Sequence, residues 1–142
     1  LVEKTILELQ ATRLLQKATI ISFYWPALIH ALQFDRGIKA GFISATGPSR
    51  NNTERKDPDE PRWGLLLNSP DLNGSTVPMI KAAGGRIWSV YWPDLTTDRL
   101  LEAQKEGIKV GIWTIRNRFE VDQVLKLGVD FITTDRPDWF KR

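Results

Sequence analysis

The stretch KVGIWTIRNRFEVDQVLKLGVDFITTDRP, from Lys109 to Pro137, constrains the chain more than any other, because it reads as strand, capped helix and strand. Lys109 to Ile115 is a β-branched and apolar run, the composition of a strand covered on both faces. Asn117 is placed to cap the helix that follows, with Glu120 completing a capping-box-like pair, and Val121, Val124 and Leu125 form one apolar stripe. Gly128 stops the helix. Val129 to Thr134 is the second strand, broken by Asp135 and Pro137. A strand, crossover helix and strand of this length make a βαβ unit, so the two strands are expected to be parallel neighbours.

The remainder of the chain repeats that unit. Leu7, Ala11, Leu14 and Ala18 lie at helical spacing, with Val2 and Ile6 alongside, so the first seventeen or so residues read as one amphipathic helix. Thr19 to Phe23 is a short strand. Trp25-Pro26 opens a second helix, with Leu28, Ala31 and Leu32 inward and Gly37 beyond its end. Ala40 to Ser44 is the next strand. Thr46 to Arg62 carries three prolines and balances four basic against four acidic side chains, so residues 46–62 read as a polar loop or insertion. Trp63 to Leu67 turns apolar again, and Val77 to Ala83 reads as a short helix ended by Gly84-Gly85. Ile87 to Trp92 is a strand with an aromatic tip. Thr97 is expected to cap a helix from Asp98 to Glu106, closed by Gly107. A final helix is expected to begin at Asp138.

Five strands separated by helices imply an α/β fold with a parallel sheet, either doubly wound or a (β/α)8 TIM-barrel. Two features favour the barrel. Polar or aromatic residues close nearly every strand: Ser22 and Phe23, Ser44, Tyr91 and Trp92, Trp113 and Thr114, Thr134 and Asp135. Barrel active sites are assembled at those strand ends. No GxGxxG or Walker-type loop follows any strand, which removes the commonest doubly wound signatures. A complete barrel takes about 250 residues, so roughly 100 are expected outside this chain. Residues 1–142 are then read as the C-terminal part of one barrel domain, an incomplete barrel whose sheet edges need covering or offer self-association.

Composition excludes several classes. With 20 basic and 17 acidic residues spread along 142 positions, no run of like charges marks a phosphate track, so nucleic acid is not an expected partner. No apolar window reaches the roughly 18 residues of a membrane span. The absence of cysteine rules out a disulfide framework and a thiolate metal site. It fits the cytoplasm, the compartment expected here, and equally an exported bacterial protein.

At WTI, GVD and TTDRP the sequence resembles the C-terminal half of the glycerophosphodiester phosphodiesterase family, whose barrels end in a WTxN, GVDxIxTDxP pattern. The separation of fifteen positions between Trp113 and Gly128 is also similar to the family's. Ile21-Ser22-Phe23 resembles the SF that ends its fourth strand, and LTTDRLLEAQKEGIKVGIWT resembles its penultimate helix and strand. The resemblance covers most of the chain and is weakest from Thr46 to Arg86. It implies metal-dependent hydrolysis of a small-molecule glycerophosphodiester to glycerol 3-phosphate and an alcohol, with two histidines as acid and base and a divalent cation, calcium or magnesium, held by carboxylates. The family carries those groups in an HRG motif, an acidic pair with a second histidine, and a glutamate on its first three strands. None of those motifs is present here, and the one histidine, His30, falls inside a helix where a structural role is expected.

The resemblance therefore assigns no catalytic residue and no metal ligand to this chain. Trp113 is a candidate substrate wall, since an indole at a barrel mouth packs well against glycerol carbons; filling the barrel's top layer is its structural alternative. Phe23, Tyr91 and Trp92 are further candidates, against ordinary packing of aromatic strand ends. Arg116, where the family usually has asparagine, is either a phosphate contact or a solvated cation. Asp135 is expected to cap the last helix, and Lys109 to reach solvent at the barrel's bottom. The expected function is the substrate side of a phosphodiesterase that is inactive alone. The alternatives are a non-catalytic half-barrel that binds or assembles, and a phospholipase D-like phosphodiesterase on the same scaffold.

Overall fold

A computed structural model of the chain describes residues 1–46 and 76–140. The elements run α1 (Val2–Ala11), β1 (Ile20–Ser22), α2 (Trp25–Phe34), β2 (Ala40–Ser44), α3 (Thr76–Ala82), β3 (Ile87–Tyr91), α4 (Thr97–Lys105), β4 (Lys109–Ile115), α5 (Arg118–Val124) and β5 (Phe131–Thr134). Short 3-10 turns cover Trp92–Asp94 and Pro137–Phe140. The expected loop over residues 47–62 and the apolar segment Trp63 to Leu67 lie outside the described residues.

All five strands are parallel, and their order in the sheet, β1-β2-β3-β4-β5, is their order in the chain. That order decides between the two candidate architectures. A doubly wound sheet reverses direction at a switch point so that helices cover both faces, whereas an unreversed series of right-handed crossovers puts every helix on one face. The fold is a curled half-barrel, and among the described residues its helices lie outside.

The two faces differ in chemistry because side chains alternate along each strand. Phe42, Trp88 and Val110 occupy one register row and Ser44, Val90, Ile112 and Ile132 the next, all toward the helices. Phe42, Trp88, Val110, Val90 and Ile112 form the main core with Trp25, Leu28, Val77, Ile80, Leu100, Ala103, Val121 and Val124, and Ile132 packs against it. Buried indoles there keep their N–H groups bonded: Trp25 Nε1 donates to the Ile43 carbonyl at 2.8 Å, and Trp88 Nε1 to Ser44 Oγ at 2.8 Å. No buried polar side chain among the described residues lacks a partner. The concave face carries Ile21, Gly41 and Ile87 in one row, then Ile43, Ser89, Gly111 and Phe131, then Tyr91 and Trp113.

Local chemistry accounts for where the elements end. Asn117 Oδ1 accepts from the Glu120 N–H at 3.1 Å, as its cap position implies. The Glu120 carboxylate reaches one residue further back than a capping box, to the Arg116 N–H at 2.8 Å. Thr96, not Thr97, caps α4, its Oγ1 accepting from the Arg99 N–H at 3.3 Å. The first helix stops at Ala11 rather than near residue 17: Thr12 Oγ1 bonds back to the Glu8 carbonyl at 2.7 Å, and Arg13 adopts φ +58°. Its inner stripe is Val2, Ile6 and half-buried Leu9, with Ile6 and Val2 packed with Ala31 and Ile38, while Leu7 and Leu14 face solvent. His30 lies on the outer surface, with Nε2 3.0 Å from Glu3 Oε1 between α2 and α1, the structural role expected of it. Asp135 is not the cap of the last turn. Thr134 Oγ1 takes the Arg136 N–H at 3.0 Å, and the Trp139 N–H bonds to the Arg136 carbonyl.

Two glycines are set by close approach, and they differ in what surrounds them. A Cβ on Gly85 would lie 2.4 Å from the Phe42 ring, which is fully buried and packed edge-on against Trp25. A Cβ on Gly111 would lie 1.8 Å from the Phe131 ring, but Phe131 is on an edge strand and 36% exposed, free to swing outward. Gly85→Ala is therefore expected to cost about 3 kcal/mol and Gly111→Ala about 1 kcal/mol, spanning the usual range for overpacking. Urea denaturation checks the order; a costlier Gly111→Ala contradicts the packing described.

Candidate functional site

The C-terminal ends of the strands gather at one pole of the half-barrel, and three expected site residues meet there. The Trp113 ring lies 5.3 Å from Phe23, edge to face at 89°, and 5.2 Å from Tyr91 at 46°. Phe23 follows β1 and Trp113 is in β4, with β2 and β3 between them. Neighbouring strands stand about 4.8 Å apart, so these backbones are separated by roughly 14 Å measured along the sheet. Their rings touch because both reach inward over a concave surface.

Trp113 is fixed more firmly than its neighbours. Its Nε1 donates to the Ser89 carbonyl at 3.1 Å, and only 9% of the residue is exposed, against 47% of Phe23. The indole is thus buried and held in place, and Phe23 is the more exposed ring. Ser89 completes this arrangement and was not evident as a site residue from its motif. The available signal was a small polar residue inside IWSVYW, two positions before Tyr91 and therefore on the same face.

The other two candidates lie apart from the aromatic cluster. Trp92 was expected at a strand tip, but β3 ends at Tyr91 and Trp92 enters a 3-10 turn with Pro93, where it packs against the main core. Arg116 is the first residue past β4, exposed, with its backbone N–H held by Glu120. Beyond β5, Arg136 makes a forked pair with Asp138, at 3.0 Å through Nε and 2.8 Å through Nη2, and lies 4.8 Å over the Trp139 ring. The hydrogen bond from Arg136 holds the Asp138 carboxyl below the usual carboxylate range, and Asp138 in turn raises the guanidinium. Lys109 is exposed at the opposite pole, as expected.

The cluster can bind and orient, but it has no means of moving a proton or polarising a phosphoryl oxygen. Among the described residues no three His, Asp or Glu side chains are grouped so as to hold a metal ion. The described residues of the cluster do not fit a divalent cation. No described helix is long and apolar enough to cross a membrane.

The aromatic contacts yield a measurable coupling. Trp113→Ala is expected to cost about 3 kcal/mol or more, and Phe23→Ala about 1 kcal/mol. A double-mutant cycle in urea denaturation should give a Phe23–Trp113 interaction of about 0.5–1.5 kcal/mol. Strict additivity would mean that the rings do not meet across the sheet.

Known proteins place this architecture. The glycerophosphodiester phosphodiesterase GDPD4 of Arabidopsis thaliana is 25% identical over 87 residues, which are 61% of this chain and 26% of that protein. A glycerophosphodiester phosphodiesterase from Parabacteroides distasonis superposes with a TM-score of 0.70 at 16% identity, over 96% of this chain and 47% of that one. A phosphodiesterase from Oleispira antarctica, solved with its product sn-glycerol-3-phosphate, superposes with a TM-score of 0.62 at 15% identity, over 96% and 45%. The chain thus spans about a quarter of the curated relative and under half of each solved structure. The model of the glycerophosphoryl diester phosphodiesterase family matches residues 4–139, nearly the whole chain, so the chain belongs to that family.

Proposed function

We propose that residues 1–142 are part of a single (β/α)8 phosphodiesterase domain and form the substrate side of its active site. The complete enzyme would hydrolyse glycerophosphodiesters to glycerol 3-phosphate and an alcohol. The observation that carries this reading is the Phe23–Trp113–Tyr91 cluster over the concave face of a chain in this family. Trp113 would pack against the glycerol carbons, with Phe23 and Tyr91 as flanking walls. Arg116, exposed at the same pole, would reach the phosphate, for which a guanidinium is well shaped. Trp92 would then act from behind, as packing beneath the rim.

The chemistry itself has to come from outside this chain. Phosphodiester cleavage needs a proton donor for the leaving alkoxide and positive charge against the phosphoryl oxygens. The one histidine is on the outer surface, 3.0 Å from Glu3, and no described cluster holds a cation. A calcium or magnesium ion would be held by the complementary part of the domain. Among the described residues β1 and β5 are the edge strands that would receive that part, and a groove of about 330 Å³, lined by Phe131, Ile132, Pro137 and Phe140 with Asp130 and Thr134, runs beside β5.

The purified chain with glycerophosphocholine and calcium or magnesium is expected to give no turnover above background. Adding in trans the polypeptide that carries the first three strands of a family barrel should restore it, with Trp113→Ala lowering kcat/KM by about tenfold or more. Turnover by the chain alone, abolished by changing one of its residues, would overturn the inactivity.

A half-barrel that assembles with itself is the second reading, supported by Ile21 at 58% exposure on the concave face. Light scattering separates the two: the truncated-enzyme reading expects no stable dimer, and a defined dimer lacking any activity on complementation would favour the module.

A further inference from the structure

At the opposite pole from Trp113 the structure carries a cavity that the phosphodiesterase reading does not use. It lies where α2 and α3 end, over the N-terminal ends of β2 and β3. The larger lobe is an open hollow of about 620 Å³ lined by Ile29, Leu32, Gln33, Arg36 and Arg86, with Ala82, Ala83 and Gly84. A smaller lobe of about 180 Å³ shares Leu32, Arg36, Gly84 and Arg86 and adds Lys39. Both lobes open to solvent and adjoin through the residues they share.

Its charge is one-sided. Arg36, Arg86 and Lys39 line it, and no Asp or Glu does. Lys39 Nζ donates to the Gln16 carbonyl, a contact that leaves its charge uncompensated. The nearby Asp35 is turned away, accepting from Gln10 Nε2 at 2.7 Å and from the Gly37 N–H at 2.7 Å. Cations are favoured at helix C-termini on dipole grounds alone. Here, however, two such ends converge on one hollow, so the arginines face the same space. The wall behind them is apolar: Ile29, Leu32 and Ala83 are partly buried against the main core.

We propose that this cavity binds the phosphate head of a small ester, with an aliphatic group of the same molecule against Ile29 and Leu32. Forked guanidinium donors match phosphate oxygens, and nothing in the lining repels a dianion. The edge strands of the described sheet are β1 and β5, whereas this cavity sits over β2 and β3. It is also remote from the strand ends where barrel chemistry occurs, which makes it a regulatory or anchoring site rather than a second active centre.

The test titrates the full chain with inorganic phosphate and with dihexanoyl phosphatidate below its micelle concentration, at 0.15 M salt, by calorimetry. Arg36→Gln with Arg86→Gln is expected to raise Kd for whichever probe binds by about tenfold or more. Both side chains are exposed, so this variant keeps the core intact. A control of equal charge, Lys105→Gln with Lys126→Gln, removes two exposed cations elsewhere and should leave Kd within about twofold. Ala82→Trp, which fills the hollow and keeps both arginines, should weaken the phosphatidate selectively. Tighter binding of phosphatidate than of inorganic phosphate supports the site; equal binding, which would leave Ile29 and Leu32 without a role, overturns it. Saturable binding of neither probe, or an equal loss in the charge control, overturns it.

Discussion

The contact between Phe23 and Trp113 is the one on which the functional shape of this molecule depends. It joins the first strand to the fourth over the heads of two others, and it is possible only because the sheet curls. The curl in turn follows from the winding. The described strands follow one another in chain order, the described helices lie outside, and the sheet bends around what its inner side chains leave free. Gly41 and Gly111 matter for this reason. Each lies under a larger neighbour, Ile21 and Ile87 over the first and Phe131 over the second, so the inner rows interleave large side chains with none. The indole N–H bond to Ser89 then fixes Trp113 where the rows converge.

The two faces of the sheet hold the molecule together in different ways. Toward the helices the packing is dense and dry, with Trp25, Phe42 and Trp88 fully buried and their polar atoms bonded. Toward the concave side, Ile21 and Phe23 remain exposed. Exposed apolar rows are costly in isolation and natural in a surface that another part of a barrel covers. The helices outside and the site inside thus divide the work: one face supplies stability, the other supplies a wall.

Much of this was legible in the sequence where the deciding chemistry is local. The cap at Asn117 and the order of strands and helices each depend on a few adjacent residues and follow the sequence reading, whereas the helix expected to run to Gly128 ends at Val124, with Gly128 at φ +73° beyond it. Choices between equivalent neighbours were not legible. Thr96 and Thr97 offer the same hydroxyl one residue apart, and only the path of the chain selects the first. In α1 the leucine stripe and the Val2–Ile6–Leu9 stripe are both periodic; packing near Ala31 and Ile38 selects the second. Trp92 shows the same limit at the site. It sits beside Tyr91 in sequence, but Pro93 turns the chain and sends the two rings to different surroundings. Ser89 acts through its backbone carbonyl, a group every residue has, so its identity gave little warning.

The central claim is that Trp113 is the floor of a substrate pocket, and its indole N–H resonance reports on that directly. Titrating the chain with glycerol 3-phosphate, followed by nitrogen-edited NMR, should shift the Trp113 indole signal and leave those of Trp25 and Trp88, which are buried on the helix side, in place. A Trp113 signal that stays fixed at saturating ligand, or shifts shared equally by all three indoles, would contradict it.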